Sequence, residues 1–315
     1  MPNILLTIYF CLVEPITSIV EILNNQGQNI YTFPVLKHRN DPKCLDLLLE
    51  SLEKNKIDKI LWWCISVPCD YIKKIADLYP NIDQLYFNWD DPHNWPHEDI
   101  ANKAKYFKTV FSCCEGSLQK YPCQAIFLLP GYHSKYHSPC QLPYKCDISF
   151  CCTNLYDDEN MYPNQYINRK LLVDQIYQNQ ERYSYVFHIY GPAWLKTRYP
   201  KSYQGNARYE DTGKIFNSSK INLCTHVQKN SYKYVNERSI LIIGSGGLLL
   251  VDKVDGLDQL FNNNECVFLD FDNYIEQIVE ILGNYDQYIS IKDNGYQKSL
   301  DYTWEKWAQT ICSNL

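Results

Sequence analysis

No two of the 14 cysteines in this chain form a C-x-x-C pair, although Cys113–Cys114 and Cys151–Cys152 are adjacent. Structural zinc and redox motifs need paired short spacings, so neither is expected and no metal site is assigned. Cys64, Cys113, Cys151 and Cys224 fall instead within apolar, strand-like runs. Buried reduced thiols in a cytoplasmic protein explain that placement better than a secreted disulfide framework. Basic residues are also scarce: 30 Lys and Arg stand against 36 Asp and Glu, for a formal net charge of −6. This balance argues against a dedicated nucleic-acid binder. The apolar run over residues 4–13 is cut by Glu14 and Pro15 and lacks both a basic leader and a small-residue cleavage site. It predicts no targeting segment, and no stretch approaches the length of a membrane span. Short internal repeats are absent too.

What is present is a long alternation of strand-like and helical patterns, in a chain of 315 residues that is long enough for two domains. In the first part, strands are expected at Ile4–Phe10, Asn29–Val35, Lys59–Cys64, Gln84–Trp89, Thr109–Cys113 and Ala125–Leu129. Helical spacing intervenes at Ile16–Leu23, Leu45–Leu52 and Ile72–Leu78. Residues 130–145 hold three prolines and few aliphatics, so they read as a linker or hinge. Beyond them the alternation restarts, with strands at Asp147–Cys152, Tyr185–Tyr190, Lys220–Cys224, Leu248–Val251 and Glu265–Leu269. Helices are expected at Arg169–Tyr177 and Tyr274–Leu282, and from Tyr285 to the end. The fold class is therefore α/β, with two Rossmann-like, doubly wound parallel-sheet domains facing a cleft. Their bounds are set at 1–138 and 139–315, and the last helix, with Trp304 and Trp307, packs back on the first lobe.

The most informative stretch is NERSILIIGSGGLLLVD, residues 236–252. Asn236 can cap a short buried helix, whose start is then a ready anion site. Gly244, Gly246 and Gly247 end that helix, and Leu248–Val251 suit a strand covered on both faces. Any α/β protein also contains helix–turn–strand units of this kind.

Read in order, CDISFCCTN, RKLL, FHIYGPAW, YQGNARYEDTGKIFNSSKINLC, NERSILIIGSGGLLLVD and GLDQLFNNNECVFLDF resemble the CgeB-like spore-maturation glycosyltransferases. FNWDDP and AIFLLPGYH add weaker echoes in the first part. The composition resembles that of a giant-virus member, which would place the protein in a host cytoplasm or a virion. The resemblance implies a GT-B enzyme that moves a sugar from a UDP- or GDP-sugar to an acceptor hydroxyl on a glycan or protein. It also implies retention of configuration and no permanently bound cofactor or metal. The leaving diphosphate must then be stabilised by helix amides and cationic side chains.

Arg238, with Lys229 or Lys233 upstream, would supply that charge, unless Arg238 is an ordinary surface arginine. The resemblance places Gly191, Tyr209, Asn222, His226, Glu237, Arg238, Gly246 and Gly247 near the nucleotide and diphosphate. Asn206 to Tyr209 match the place where the family holds the base. Asp90, Asp91 and His93 would face the acceptor as catalytic candidates beside Arg238, or form an ordinary Asp-Asp-Pro turn. His226 is otherwise a structural histidine. Trp194 stacks on the base or packs in the core, the second being favoured, and His133 and His137 are expected at the surface. Asp270 and Asp272 are read as helix caps. The ribose-binding glutamate of the family's R-x-F-E motif falls on Leu241, the phenylalanine on Ile240, and an earlier glutamate on Lys233. Replacing such a carboxylate by Leu forfeits about 1 to 3 kcal/mol of hydrogen bonding. Glu237 or Asp252 could take over, donor binding could be altered, or the chain could be a silent sugar-nucleotide or glycan binder. A structural coat component is the third alternative.

Overall fold

The computed structural model describes residues 1–90, 98–155, 168–226 and 231–315, and it divides into two compact units. The first is Met1–Pro130 together with Trp304–Leu315; the second is Gly131–Thr303. Asp91, His93 and Lys229 lie outside the described residues.

In the first unit, β1 (Asn3–Ile8), β2 (Asn29–Pro34), β3 (Lys59–Trp62), β4 (Asp83–Asn88), β5 (Thr109–Ser112) and β6 (Gln124–Phe127) form a single sheet. Their order is β2-β1-β3-β4-β5-β6, and every pairing is parallel. The strands are apolar runs because helices cover both faces. Leu5 joins one core with Trp62, Tyr86 and Val110, beneath helices Cys44–Lys54 and Cys69–Leu78. Ile4 and Leu6 join another with Leu61, Phe87 and Phe111, beneath helices Ile16–Asn25 and Trp304–Ser313. Trp304 and Trp307 are buried in that second core, their rings 5.9 and 5.8 Å from Trp63.

The second unit holds β7 (Cys146–Cys151), β8 (Phe187–Tyr190), β9 (Ser219–Cys224), β10 (Leu248–Val251) and β11 (Val267–Phe268). They pair in parallel in the order β11-β10-β9-β7-β8. The arrangement β8-β7-β9-β10-β11 repeats the arrangement β2-β1-β3-β4-β5 of the first sheet. In both sheets the chain moves outward once, returns past its first strand and continues on the other side. This reversal is the topological switch point, where a crevice opens at the carboxyl ends of the strands. In the second unit it falls between β7 and β9.

Every strand expected from the sequence is present, with ends shifted by two residues at most. Two expectations need correction. The stretch read as a linker belongs to the second unit from Gly131 on, with Tyr132 and His137 buried although residues 138–145 are exposed. Tyr132 is buried and its N–H donates to the Tyr302 carbonyl at 3.0 Å, while the Lys145 N–H donates to Ser218 at 2.8 Å. The prolines mark irregular backbone there, and its hydrogen bonds are satisfied by neighbouring elements. His137 is fully buried rather than exposed, with Nε2 at 2.9 Å from Thr212 Oγ1, and His133 is half-buried.

Candidate functional site

Helix Glu237–Gly244 is set by its two ends. Asn236 is extended (φ −71°, ψ 132°), and its side chain accepts the Arg238 N–H at 2.9 Å, as an N-cap does. At the other end Gly246 adopts φ +71°, its N–H donating to Ile243, and the Gly247 N–H donates to Ile242. These paired bonds close a Schellman turn, whose left-handed residue favours glycine. Residues Ser239 to Gly244 are buried, so the first turn, with Glu237 and Arg238, is the part that meets solvent.

That turn forms one wall of a cavity of about 160 Å³ at the carboxyl ends of β7 and β8. The floor is Cys151, Cys152, Gly191, Thr212, Phe216 and Leu241, all buried. Thr153, Tyr190, Asn206, Ala207, Tyr209, Asn236, Glu237 and Arg238 make the walls and rim. The cavity thus lies at the carboxyl ends of β7 and β8, beside a helix start that favours negative charge. Burial pushes the Cys151 thiol up to about 12, partly offset by the Arg238 guanidinium. The Cys152 thiol is likewise pushed up by burial, to about 11, with Arg169 and Arg238 drawing it back. Both thiols are therefore protonated at neutral pH, and Arg238 is close enough to act on each.

The structure brings Gly191, Tyr209, Glu237 and Arg238 together around this cavity, with Asn206, Ala207 and Leu241. A Cβ on Gly191 would stand 2.1 Å from the Cys152 carbonyl oxygen, so glycine is required there by backbone packing. Asn222, His226, Gly246 and Gly247 are not among the lining residues. Buried Asn222 accepts from Ser149 Oγ at 2.7 Å and donates to the carbonyls of Phe216 and Leu248, tying strands together. His226 is fully buried, its Nδ1 at 2.7 Å from Asp252 Oδ1, and its N–H donates to both carboxylate oxygens at 3.0 Å. Gly246 serves the helix turn, and a Cβ on Gly247 would meet the Asn222 amide at 2.6 Å. Lys233 takes φ +50°, with Nζ 5.2 Å from the Tyr232 ring centroid.

Trp194 is 42% exposed, which corrects the expectation that it packs in the core. Asp270 accepts the Asp272 N–H at 3.1 Å in an Asx turn ahead of helix Tyr274–Gly283, whose N-cap Asn273 makes no side-chain cap bond. Among the described residues, no group of three or more His, Cys, Asp or Glu side chains is placed to hold a metal. In the first unit, Asp90 follows β4 at the carboxyl end of its sheet. Asp90 is exposed, and the protein packed against its carboxyl pushes its pKa above the usual carboxylate value.

Sequence reasoning missed Cys151, Cys152, Thr153, Tyr190, Thr212 and Phe216. The first four sit at or just past strand ends, a positional signal that was available. It also missed Arg169, which is buried and donates from Nε to Thr225 Oγ1 at 2.7 Å, holding the end of β9.

Solved structures share this arrangement over nearly the whole chain. Sucrose-phosphate synthase from Thermosynechococcus elongatus aligns with a TM-score of 0.71 at 11% identity, covering 100% of this chain and 98% of that one. Anabaena HepE in complex with UDP-glucose aligns at 0.68 and 9% identity, covering 99% and 98%. A glycosyltransferase from Rickettsia africae aligns at 0.66 and 12% identity, covering 99% and 97%. The fold is thus that of the GT-B glycosyltransferases, two parallel-sheet α/β units. Within it, residues 169–313 match the family described as glycosyl transferase-like. No curated protein matches by sequence. Among the described residues, no helix is long and apolar enough to cross a membrane.

Proposed function

We propose that the protein is a glycosyltransferase whose second unit holds a nucleoside diphosphate-sugar in the cavity at the carboxyl ends of β7 and β8. The observation that carries this reading is the meeting of Arg238, a capped helix start and the carboxyl ends of β7 and β8 around one buried-floored cavity. A pyrophosphate there gains charge-assisted hydrogen bonds from the guanidinium and the favourable end of the helix dipole. The same groups stabilise the diphosphate as it leaves, because its negative charge grows as the anomeric bond breaks. In this mechanism the anomeric carbon passes to an acceptor hydroxyl with retained configuration and without a resident metal. The hydroxyl's proton must go to a base, and Asp90 on the first unit is the described candidate. The motifs that resemble CgeB-like enzymes supply the narrower family reading, and HepE, with UDP-glucose, supplies the donor class.

A second reading has one observation in its favour. Leu241 lies in the cavity floor, where it offers no hydrogen bond to a sugar nucleotide, as suits a protein that binds without turnover. Incubation with UDP- and GDP-sugars separates the two. Release of free nucleotide supports the transferase; tight binding without release supports the silent protein.

A further inference from the structure

We infer that the second unit holds a further binding site, separate from the donor cavity, for a neutral saccharide. The inference goes beyond the donor-site reading and does not rest on it. The site is a cavity of about 630 Å³ between Tyr232, Gly256 and Phe271, with Lys253, Asp255 and Asp258 at its rim. That volume falls in the range of roughly 300 to 1,000 Å³ that small organic ligands occupy, so a disaccharide fits. None of these residues lines the donor cavity. Lys253 to Asp258 follow β10 and Phe271 follows β11, whereas the donor cavity lies at β7 and β8.

The aromatic wall is held before any ligand arrives. The Tyr232 hydroxyl donates to Gln259 Oε1 at 2.8 Å, and the Lys233 N–H donates to the Asp255 carbonyl at 2.7 Å. The ring lies against Gly256, where a Cβ would stand 2.6 Å from Tyr232 Cε2. Gly256 also takes φ +75°, which favours glycine. Tyr232 is nevertheless 40% exposed and Phe271 is half-buried, so ring surface remains for a ligand to cover at little ordering cost.

Charge selects the class of ligand. Asp258 is paired with Lys253 at 3.2 Å, and Lys233 Nζ stands 5.2 Å from the Tyr232 ring centroid. The two lysines balance Asp255 and Asp258, so neither a phosphate nor an ammonium is favoured. The Asp255 carboxylate enters no hydrogen bond or ion pair among the described residues, and an ionised carboxylate can only accept. An aliphatic ligand would strip water from it and give nothing back. The cavity therefore suits a molecule with apolar faces for the rings and hydroxyl donors around its edge. A pyranose has that form, with C–H groups on its faces and hydroxyls at its rim.

Ligand-observed NMR titration of the full chain tests the site, using maltose, cellobiose and N,N′-diacetylchitobiose, each with and without UDP. At least one disaccharide should bind, and UDP should not displace it. Asp255→Ala should weaken that binding by about threefold or more, the loss of a charge-assisted hydrogen bond. Phe271→Ala should weaken it by about threefold, the loss of a ring contact, and Tyr232→Phe, which keeps its ring, by less. Disaccharide binding that UDP displaces, or that survives both alanine substitutions in variants that melt normally, overturns the inference. Absence of binding by all three probes overturns it too, and UDP binding in that case leaves the donor reading standing. Disaccharide binding without UDP binding overturns the donor reading alone.

Discussion

Asn236 Oδ1 accepts the backbone N–H of Arg238 at 2.9 Å, so the residue that starts the helix also fixes the peptide carrying its guanidinium. One side chain therefore links helix stability to placement of charge at the cavity. Asn236→Ala should destabilise the protein by about 1 kcal/mol, the usual cost of losing such a cap. Asn236→Asp keeps an acceptor and should retain stability. Chemical denaturation of the two variants checks the pair.

The first unit depends on a helix from the far end of the chain. Trp307 is 2% exposed and packs edge-on to Phe87, with ring centroids 5.2 Å apart. Trp307→Ala should cost about 3 to 5 kcal/mol by opening a large cavity in that core. Urea unfolding should show the loss, and an effect below about 1 kcal/mol would contradict the packing described here.

The buried ring of His137 makes stability depend on acid. Burial lowers its pKa from 6.5 to about 4. Unfolded chains take up the proton near 6.5, whereas the folded chain resists until about 4. The contribution of the neutral ring is therefore present above pH 6.5 and lost as pH falls through 4. The shift corresponds to about 3 kcal/mol over that window. Unfolding free energies at pH 7, 5.5 and 4.5 (chosen roughly to span it) should fall with acid, and the slope should diminish in His137→Gln.

The fold was legible because its strands are continuous apolar runs, and such runs announce a parallel sheet without any contact being known. Asn236 as cap and the glycine turn of residues 244–247 were legible for a similar reason, since each follows from local backbone chemistry. Helix Tyr209–Asn217 was not, because the face it buries is Thr212, Gly213, Phe216 and Asn217, which gives little apolar periodicity. Gly213 is needed there because a Cβ would stand 2.0 Å from the Tyr136 carbonyl oxygen, a long-range contact invisible in sequence. Asn222 and His226 show the same limit. Their positions at or near a strand end suggested a ligand, but their partners Ser149 and Asp252 lie on other strands or just past them. Gly191, Asn206, Tyr209, Asn236, Glu237 and Arg238, and Leu241 in the floor, could be named beforehand; the rest of the apolar floor could not, since Phe216 reads as ordinary core.

Titration of UDP and GDP into the unaltered protein and into Arg238→Ala tests the donor site most directly. The account predicts that at least one nucleotide binds the unaltered chain and that the substitution weakens it by about tenfold or more, the loss of a charge-assisted contact. Binding that is indifferent to Arg238, in a variant that melts normally, would contradict it.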